Sequence, residues 1–309
     1  MATMPFPTTP ALCAVAIAYK NQSLIADEVL PYVPVGKQEF KYMKYNLADA
    51  FTIPDTRVGR KSAPNEVEFG ATEITDSTQD YALDDKIPLY DINNAPENYD
   101  PKLRAVEGIM DLIKLDREKR AADLVFSAGA YPTANKTTLS GTSQFSDFTN
   151  SDPIGVLNDG LDKCVMRPNV MVLGAAVWSK LRTHPQIIKA LYGNTVSTGL
   201  ASRRQVAELF ELEKIFVGQG FLNTAKKGQT PSLSRVWGKN ISLIYRNPLA
   251  DSRGGATFGF TARFGEPVAG EWEDKNIGMR GGFVVRAGES VKELVTASDL
   301  GYFIQNAVA

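Results

Sequence analysis

A chain of 309 residues with 43% hydrophobic and 22% charged side chains can bury a sizeable core and is long enough for one large or two modest domains. Its 34 Lys plus Arg against 35 Asp plus Glu leave a net charge of −1, which excludes a bulk field drawing the whole chain to nucleic acid or an anionic membrane. The longest apolar run near the start, Ala11 to Tyr19, has no basic segment before it and is far shorter than the roughly 18 residues that span a bilayer, so it reads as neither signal peptide nor anchor.

Residues 1–38 open on a Pro/Thr-rich run, Met4 to Pro10, and end in Leu30 to Val35, where Pro31 and Pro34 impose extended backbone. This segment reads as an N-terminal arm with little core of its own, which must lie on another surface. Residues 39–98 are strand-like. Phe40, Tyr42 and Tyr45 sit near Lys41 and Lys44, Thr72 to Thr78 is rich in threonine, and Ile53-Pro54 and Ala63-Pro64 are turn signals. Between the strands lies the polar run Arg57 to Ser62. Loops beyond about 12 to 15 residues are uncommon in compact monomers, so the segment predicts a long β-hairpin that pairs with another subunit.

Asp100-Pro101 opens the clearest helix, with Asp able to cap free amides and Pro suited to the first turn. Leu103, Val106, Met110, Ile113 and Leu124 mark its apolar face, while Arg104, Asp111, Lys114, Arg117 and Lys119 are expected mostly off it. Running from Pro101 to Phe126 it would be about 39 Å long, a spine. The Gly/Thr/Ser-rich span Ala128 to Ser151 then marks a boundary. The second half reads as α/β. Helices are predicted from a cap at Ser151 or Asp152 through Leu161, and over Ala175–Leu181, Pro185–Tyr192 and Arg203–Phe210. Strands are predicted at Asn169–Leu173, Lys214–Val217, Ile241–Tyr245, Thr257–Arg263 and Gly282–Val295.

Several of these segments, in order, resemble the major capsid proteins of tailed bacteriophages, the group with the Hong Kong 97-type fold. Tyr19 to Val35 followed by Lys37 to Tyr42 is similar to the family's arm and the first strand of its extended loop. Arg60 to Val67 and Tyr81 to Pro88 are similar to the rest of that loop. Arg167 to Gly174, with Val177-Trp178 and His184-Pro185, is similar to the strand and helix of the axial domain. The resemblance implies an α+β fold with an N-terminal arm at 1–38 and an extended loop at 39–98. It further implies a P domain at 99–150 and 275–309 with the spine helix, and an A domain at 151–274. It also implies a non-enzymatic shell subunit that forms hexamers and pentamers and closes an icosahedral head around double-stranded DNA. Expected partners are further copies of the chain, a separate scaffolding protein, a portal and a decoration protein, with no membrane. The implied location is the virion, assembled in the host bacterial cytoplasm. Lys41, Lys44, Arg57, Arg60 and Lys61 are the expected intersubunit contacts. The family's loop cross-link cannot be matched to residues here.

Other chemistry finds little support. His184 is the one histidine; paired with Cys164 it would make a Cys/His hydrolase, but no third group or nucleophile elbow accompanies it. Cys13 and Cys164, far apart and outside any CxxC, argue for reduced thiols. One His and two separated Cys cannot close a zinc site, Val217-Gly218-Gln219-Gly220 lacks a third glycine, and no cofactor is expected. Asp84-Asp85 and Glu271 to Asp274 suit solvated turns or intersubunit ion pairs, because neighbours on a strand point to opposite faces. A cargo compartment of the encapsulin type remains the alternative with the same fold.

Overall fold

Two β-sheets share one long helix. The computed structural model describes residues 6–18, 21, 23–45, 53–66, 71–193, 195–196, 198–226, 228–251 and 254–309. The first half contains α1 (Pro10–Ala18), α2 (Ala26–Val29), β1 (Tyr32–Val35), β2 (Glu39–Tyr45), β3 (Ala71–Ser77), β4 (Gln79–Pro88), α3 (Leu89–Asn93) and α4 (Pro101–Val125). Then come β5 (Lys136–Thr138), α5 (Pro153–Lys163), β6 (Val170–Gly174), α6 (Ala175–Leu181), α7 (Pro185–Tyr192), α8 (Arg203–Leu209) and β7 (Lys214–Gly218). The chain closes with β8 (Phe221–Asn223), β9 (Leu233–Arg235), β10 (Ile241–Ile244), β11 (Gly259–Asp274), β12 (Gly282–Val295) and β13 (Gly301–Gln305).

The helix α4 begins where the sequence predicts, with the Asp100 carboxylate accepting from the amides of Lys102 at 2.8 Å and Leu103 at 3.4 Å. Its buried residues recur at helical spacing: Val106, Met110, Ile113, Arg117, Ala121 and Val125. The N-terminal part of that stripe packs on Ala269, Val285 and Ala287 of the four-stranded sheet, whose order is β1-β11-β12-β4. Its C-terminal part, Ala121, Ala122 and Val125, packs on Val170, Val172, Phe216 and Phe303 of the five-stranded sheet, ordered β5-β13-β10-β6-β7. One rigid element therefore spans both cores.

The five-stranded sheet is buried on both faces, which explains its near-continuous apolar strands. Met171, Leu173, Ile215, Val217, Leu243 and Tyr302 face the layer made by α5 to α8; the intervening Val172, Phe216 and Phe303 face α4. In the other sheet β12 is central, antiparallel to both β11 and β4. The strand predicted at Thr257–Arg263 continues to Asp274, because the Gly265-Glu266-Pro267 break is a bulge between Phe264 and Val268 and not an end.

The arm is corrected by the structure. It does not wait for another surface: Leu12 and Ala16 of α1 bury against Val106 and Ile109 of α4, Leu30 is fully buried beside Phe258, and β1 adds parallel to β11. Small residues in Pro10–Ala18 permit that close approach, and proline at 34 is tolerated because β1 is an edge strand. The polar hairpin also divides. Only β2 and β3 form a separate two-stranded ribbon, while β4 pairs with β12 over Gln79–Pro88.

Candidate assembly surface

The ribbon is anchored at its base and exposed at its tip. Phe40 and Tyr42 alternate inward and bury against Val33, Val35, Phe260, Ala262 and Leu294. Lys41 points outward, opposite Thr75, and forms an ion pair with Glu73; Lys44, opposite Thr72, is exposed and has no side-chain partner among the described residues. Every residue from 53 to 66 is exposed, with Ile53 at 91% and Val58 at 48%. The tip is nevertheless shaped. The Asp55 carbonyl accepts from the Asn65 side-chain amide at 2.9 Å, the Asp55 carboxylate accepts from the Arg57 amide at 3.0 Å, and the Ser62 amide closes a turn onto Gly59 at 3.1 Å. Arg57, Arg60 and Lys61 form no ion pair among the described residues. The structure thus brings three of the five predicted cations to one tip, beside exposed apolar side chains. Residues 46–52 and 67–70 of the predicted hairpin lie outside the described part.

A groove runs between β4 and α4. Leu83, Tyr99 and Leu112 line it, each at least 43% exposed, together with Asp85, Asp91 and Lys86, which have no ion-pair partner among the described residues, and Arg104, which pairs with Glu107. Asp84 and Glu271 are not free for intersubunit pairing: Arg286 holds Asp84 at 2.6 and 2.7 Å and lowers the pKa of its carboxyl, and Lys102 lies 2.7 Å from Glu271.

Between the two cores lies a buried charge network that the sequence reading missed. Arg117 is 1% exposed; it pairs with Asp27, donates to the Leu30 carbonyl at 3.2 Å and to Thr261 at 3.0 Å, and lies over the Tyr32 ring. It had been placed off the apolar face, yet it stands four residues from both Ile113 and Ala121, the spacing of that face. Next to it Glu118, fully buried, accepts from the amides of Ile25 and Ala26 and from the Trp237 indole. Burial raises the pKa of the carboxyls of Glu118 and Glu289, although hydrogen bonds oppose it at Glu118 and the charge of Arg117 opposes it at Glu289. Desolvation likewise pushes the Tyr32 hydroxyl well above its usual range.

The catalytic candidates resolve into structural roles. His184 Nδ1 accepts the Gln186 amide at 3.3 Å as the cap of α7, so Nε2 carries the proton and donates to Ser151 Oγ at 3.0 Å. That tautomer cannot accept a proton from Ser151. Burial lowers the pKa of the imidazole. Cys164 Sγ points to the Gly160 carbonyl at 3.6 Å, and desolvation pushes the pKa of its thiol up to about 11, away from a nucleophilic thiolate. Among the described residues no His/Cys/Asp/Glu cluster suits a metal, and no helix is long and apolar enough to cross a membrane. Gly218 of the Gly-Gln-Gly stretch serves packing, since a Cβ there would lie 2.0 Å from the Trp237 ring.

Solved structures share this architecture. A phage-related protein from Bordetella bronchiseptica matches 98% of the chain and 99% of its own length, with TM-score 0.78 at 21% identity. The capsid of cyanophage P-SCSP1u matches 94% and 90%, with TM-score 0.60 at 9% identity. The architecture is the Hong Kong 97-type capsid fold. No family model matches the sequence. Two curated relatives do: the major capsid protein of Pseudomonas phage JBD67 is 55% identical over all 309 residues and 100% of both chains, and that of Burkholderia phage BcepMu is 30% identical over 96% of this chain and 95% of its own. The chain belongs to the phage major capsid proteins: it forms the capsid shell of a virion from multiple copies of itself. That membership sets the cargo-compartment alternative aside.

Proposed function

We propose that the chain closes an icosahedral head as hexamers and pentamers around double-stranded DNA, with the 53–66 tip of one copy set into the β4–α4 groove of the next. One observation carries this reading. Among the described residues, Arg57, Arg60 and Lys61 at the tip have no ion-pair partner and lie on the same exposed segment as Ile53 and Val58, and Asp85 and Asp91 in the groove have none and lie beside Leu83, Tyr99 and Leu112. A basic, partly apolar tip and a groove that offers two exposed carboxylates beside apolar side chains can pair between copies, with Asp85 and Asp91 as the points of contact for the cations. Lys44 extends the basic face along the ribbon, and Lys41 joins it as a pair with Glu73.

In this reading 1–38 is the arm and 39–98 the extended loop, with β4 at the loop's root built into the P-domain sheet. On the expected bounds 99–150 and 275–309 make the P domain around α4 and 151–274 the A domain, but strand pairing crosses those bounds: β11 pairs with β12, and β5 and β13 complete the sheet of β10, β6 and β7. The chain acts by assembly and catalyses nothing. The head is built in the host bacterial cytoplasm on a separate scaffolding protein, with a portal at one vertex and a decoration protein outside. Deleting Arg57 to Asn65 tests the central contact: the expected result is a soluble, folded chain that no longer closes. Electron micrographs showing normal particles from that deletion would overturn the proposal.

A further inference from the structure

A second surface, far from the hairpin, also has uncompensated charge. The groove between α6, α8 and the β8–β9 hairpin is lined by Trp178, Arg182, Arg203, Gln219, Phe221 and Arg235, and no carboxylate lines it. None of the three arginines enters an ion pair among the described residues. Arg182 Nε is buried without a hydrogen-bond partner among the described residues. Arg235 is held in place by the Gln219 carbonyl at 3.3 Å and by the Phe221 ring at 4.3 Å from its guanidinium. Phe221 is 48% exposed, and Leu233 on the same hairpin is 68% exposed. Arginine with exposed aromatic and aliphatic surface is the composition of a protein interface. A phosphate backbone needs a longer track of cations, and the near-zero net charge supplies no further field for one.

The complementary surface lies in the same helical layer. On α5, Asp159 is exposed and has no partner among the described residues, Asp162 holds only an exposed contact with Arg167 at 3.3 Å, and Val165 just past the helix is 50% exposed. Gly160 seats α5 on Tyr302 of β13 and Leu243 of β10, toward the β5 end of the sheet, whereas the arginine groove borders β7 at the opposite end. Two different, complementary patches at opposite ends of one module are what a head-to-tail ring requires.

We infer that α5 of one copy seats in the arginine groove of the next, with Asp159 and Asp162 facing Arg182, Arg203 and Arg235. This rests on the shell reading and adds a contact independent of the hairpin. The test uses full-length chains, with circular dichroism confirming the fold of each variant. Arg203→Glu with Arg235→Glu, and separately Asp159→Lys with Asp162→Lys, are each expected to cut particle yield about tenfold or more, and the four changes together to restore most of it. Either reversed pair assembling like the unchanged chain, or a fourfold variant no better than the pairs, overturns the inference. So does loss of duplex DNA binding by the Arg→Glu pair with assembly intact, which would assign the groove to phosphates. An unchanged chain that stays monomeric under all assembly conditions overturns the shell reading and this contact together, whereas normal assembly with indifferent variants overturns this contact alone.

Discussion

The carboxylate of Glu118 accepts the amide hydrogen of Ala26 at 2.7 Å, reaching from the middle of the long helix α4 to the first turn of α2. The short helix has no side-chain cap of its own, so a residue 92 positions later in sequence supplies one. The same carboxylate takes the Ile25 amide at 3.0 Å and the Trp237 indole, which ties the N-terminal segment, the spine and the loop before β10 to one buried acid. Arg117, one residue earlier, holds the same N-terminal segment through Asp27 and the Leu30 carbonyl.

Replacing Glu118 by Ala should destabilise the unassembled chain by about 3 kcal/mol or more, because three buried donors lose their acceptor and each unsatisfied group costs about 1 to 3 kcal/mol. Urea denaturation measures the loss. Limited proteolysis should show cleavage near residue 25 appearing before global unfolding, and resistance there equal to the unchanged chain would refute the capping role.

Glu289 gives a pH dependence. Desolvation raises the pKa of its carboxyl, and one of its oxygens, Oε1, is buried without a hydrogen-bond partner among the described residues, so the folded state binds its proton more tightly than the unfolded state does. The contribution is fully present below the unfolded carboxyl range and is lost as pH rises through the raised folded pKa. Glu289→Gln, which carries no charge, should therefore gain on the unchanged chain as pH rises from the carboxyl range towards neutrality. Denaturation midpoints across that range check the sign; a gap that narrows with rising pH would count against it.

Much of this architecture was legible in the chain. The Asp100-Pro101 start of α4 and the Gly282–Val295 strand appear as read, because a cap with long periodicity and a long apolar-rich run are local signals. The arm was misread for a physical reason. Pro10–Ala18 is apolar on every side, so periodicity could not show which face meets α4, and its partners lie about 90 and 255 residues away. Arg117 carries a charge that argues for the solvent side, while its position, four residues from both Ile113 and Ala121, puts it on the buried face. The cations at the hairpin tip were visible as residue types; the groove was not, since β4, α3 and α4 each supply part of its lining.

Gly218→Ala tests a packing reading against the glycine-loop reading of the same stretch. The added methyl would lie 2.0 to 2.6 Å from Trp237 side-chain atoms, and Trp237 is fully buried and bonded to Glu118, so it cannot swing away freely. The expected loss is about 1 to 3 kcal/mol, the range for overpacking, measured by thermal or urea unfolding. Gly238→Ala is the control, since nothing lies within 4 Å of the added Cβ there. Equal effects at both positions would remove the packing account.

The hairpin tip makes a prediction that separates folding from assembly. Arg57, Arg60 and Lys61 are exposed and take part in no ion pair among the described residues, so changing all three to Glu should move the stability of the unassembled chain by about 0.5 kcal/mol or less. Assembly should respond far more strongly, because three attractive contacts become repulsive against Asp85 and Asp91 of the next copy. Adding Asp85→Lys and Asp91→Lys should recover particles, which a nonspecific loss of solubility would not allow. Salt provides the second axis. At about 1 M ionic strength the screening length falls to about 3 Å, so the penalty of the triple change should shrink while the apolar part of the contact, carried by Ile53 and Val58, persists. Light scattering over a salt series, with micrographs at each end, measures both effects; a deficit that stays constant with salt would place the tip's contribution in its shape and not its charge.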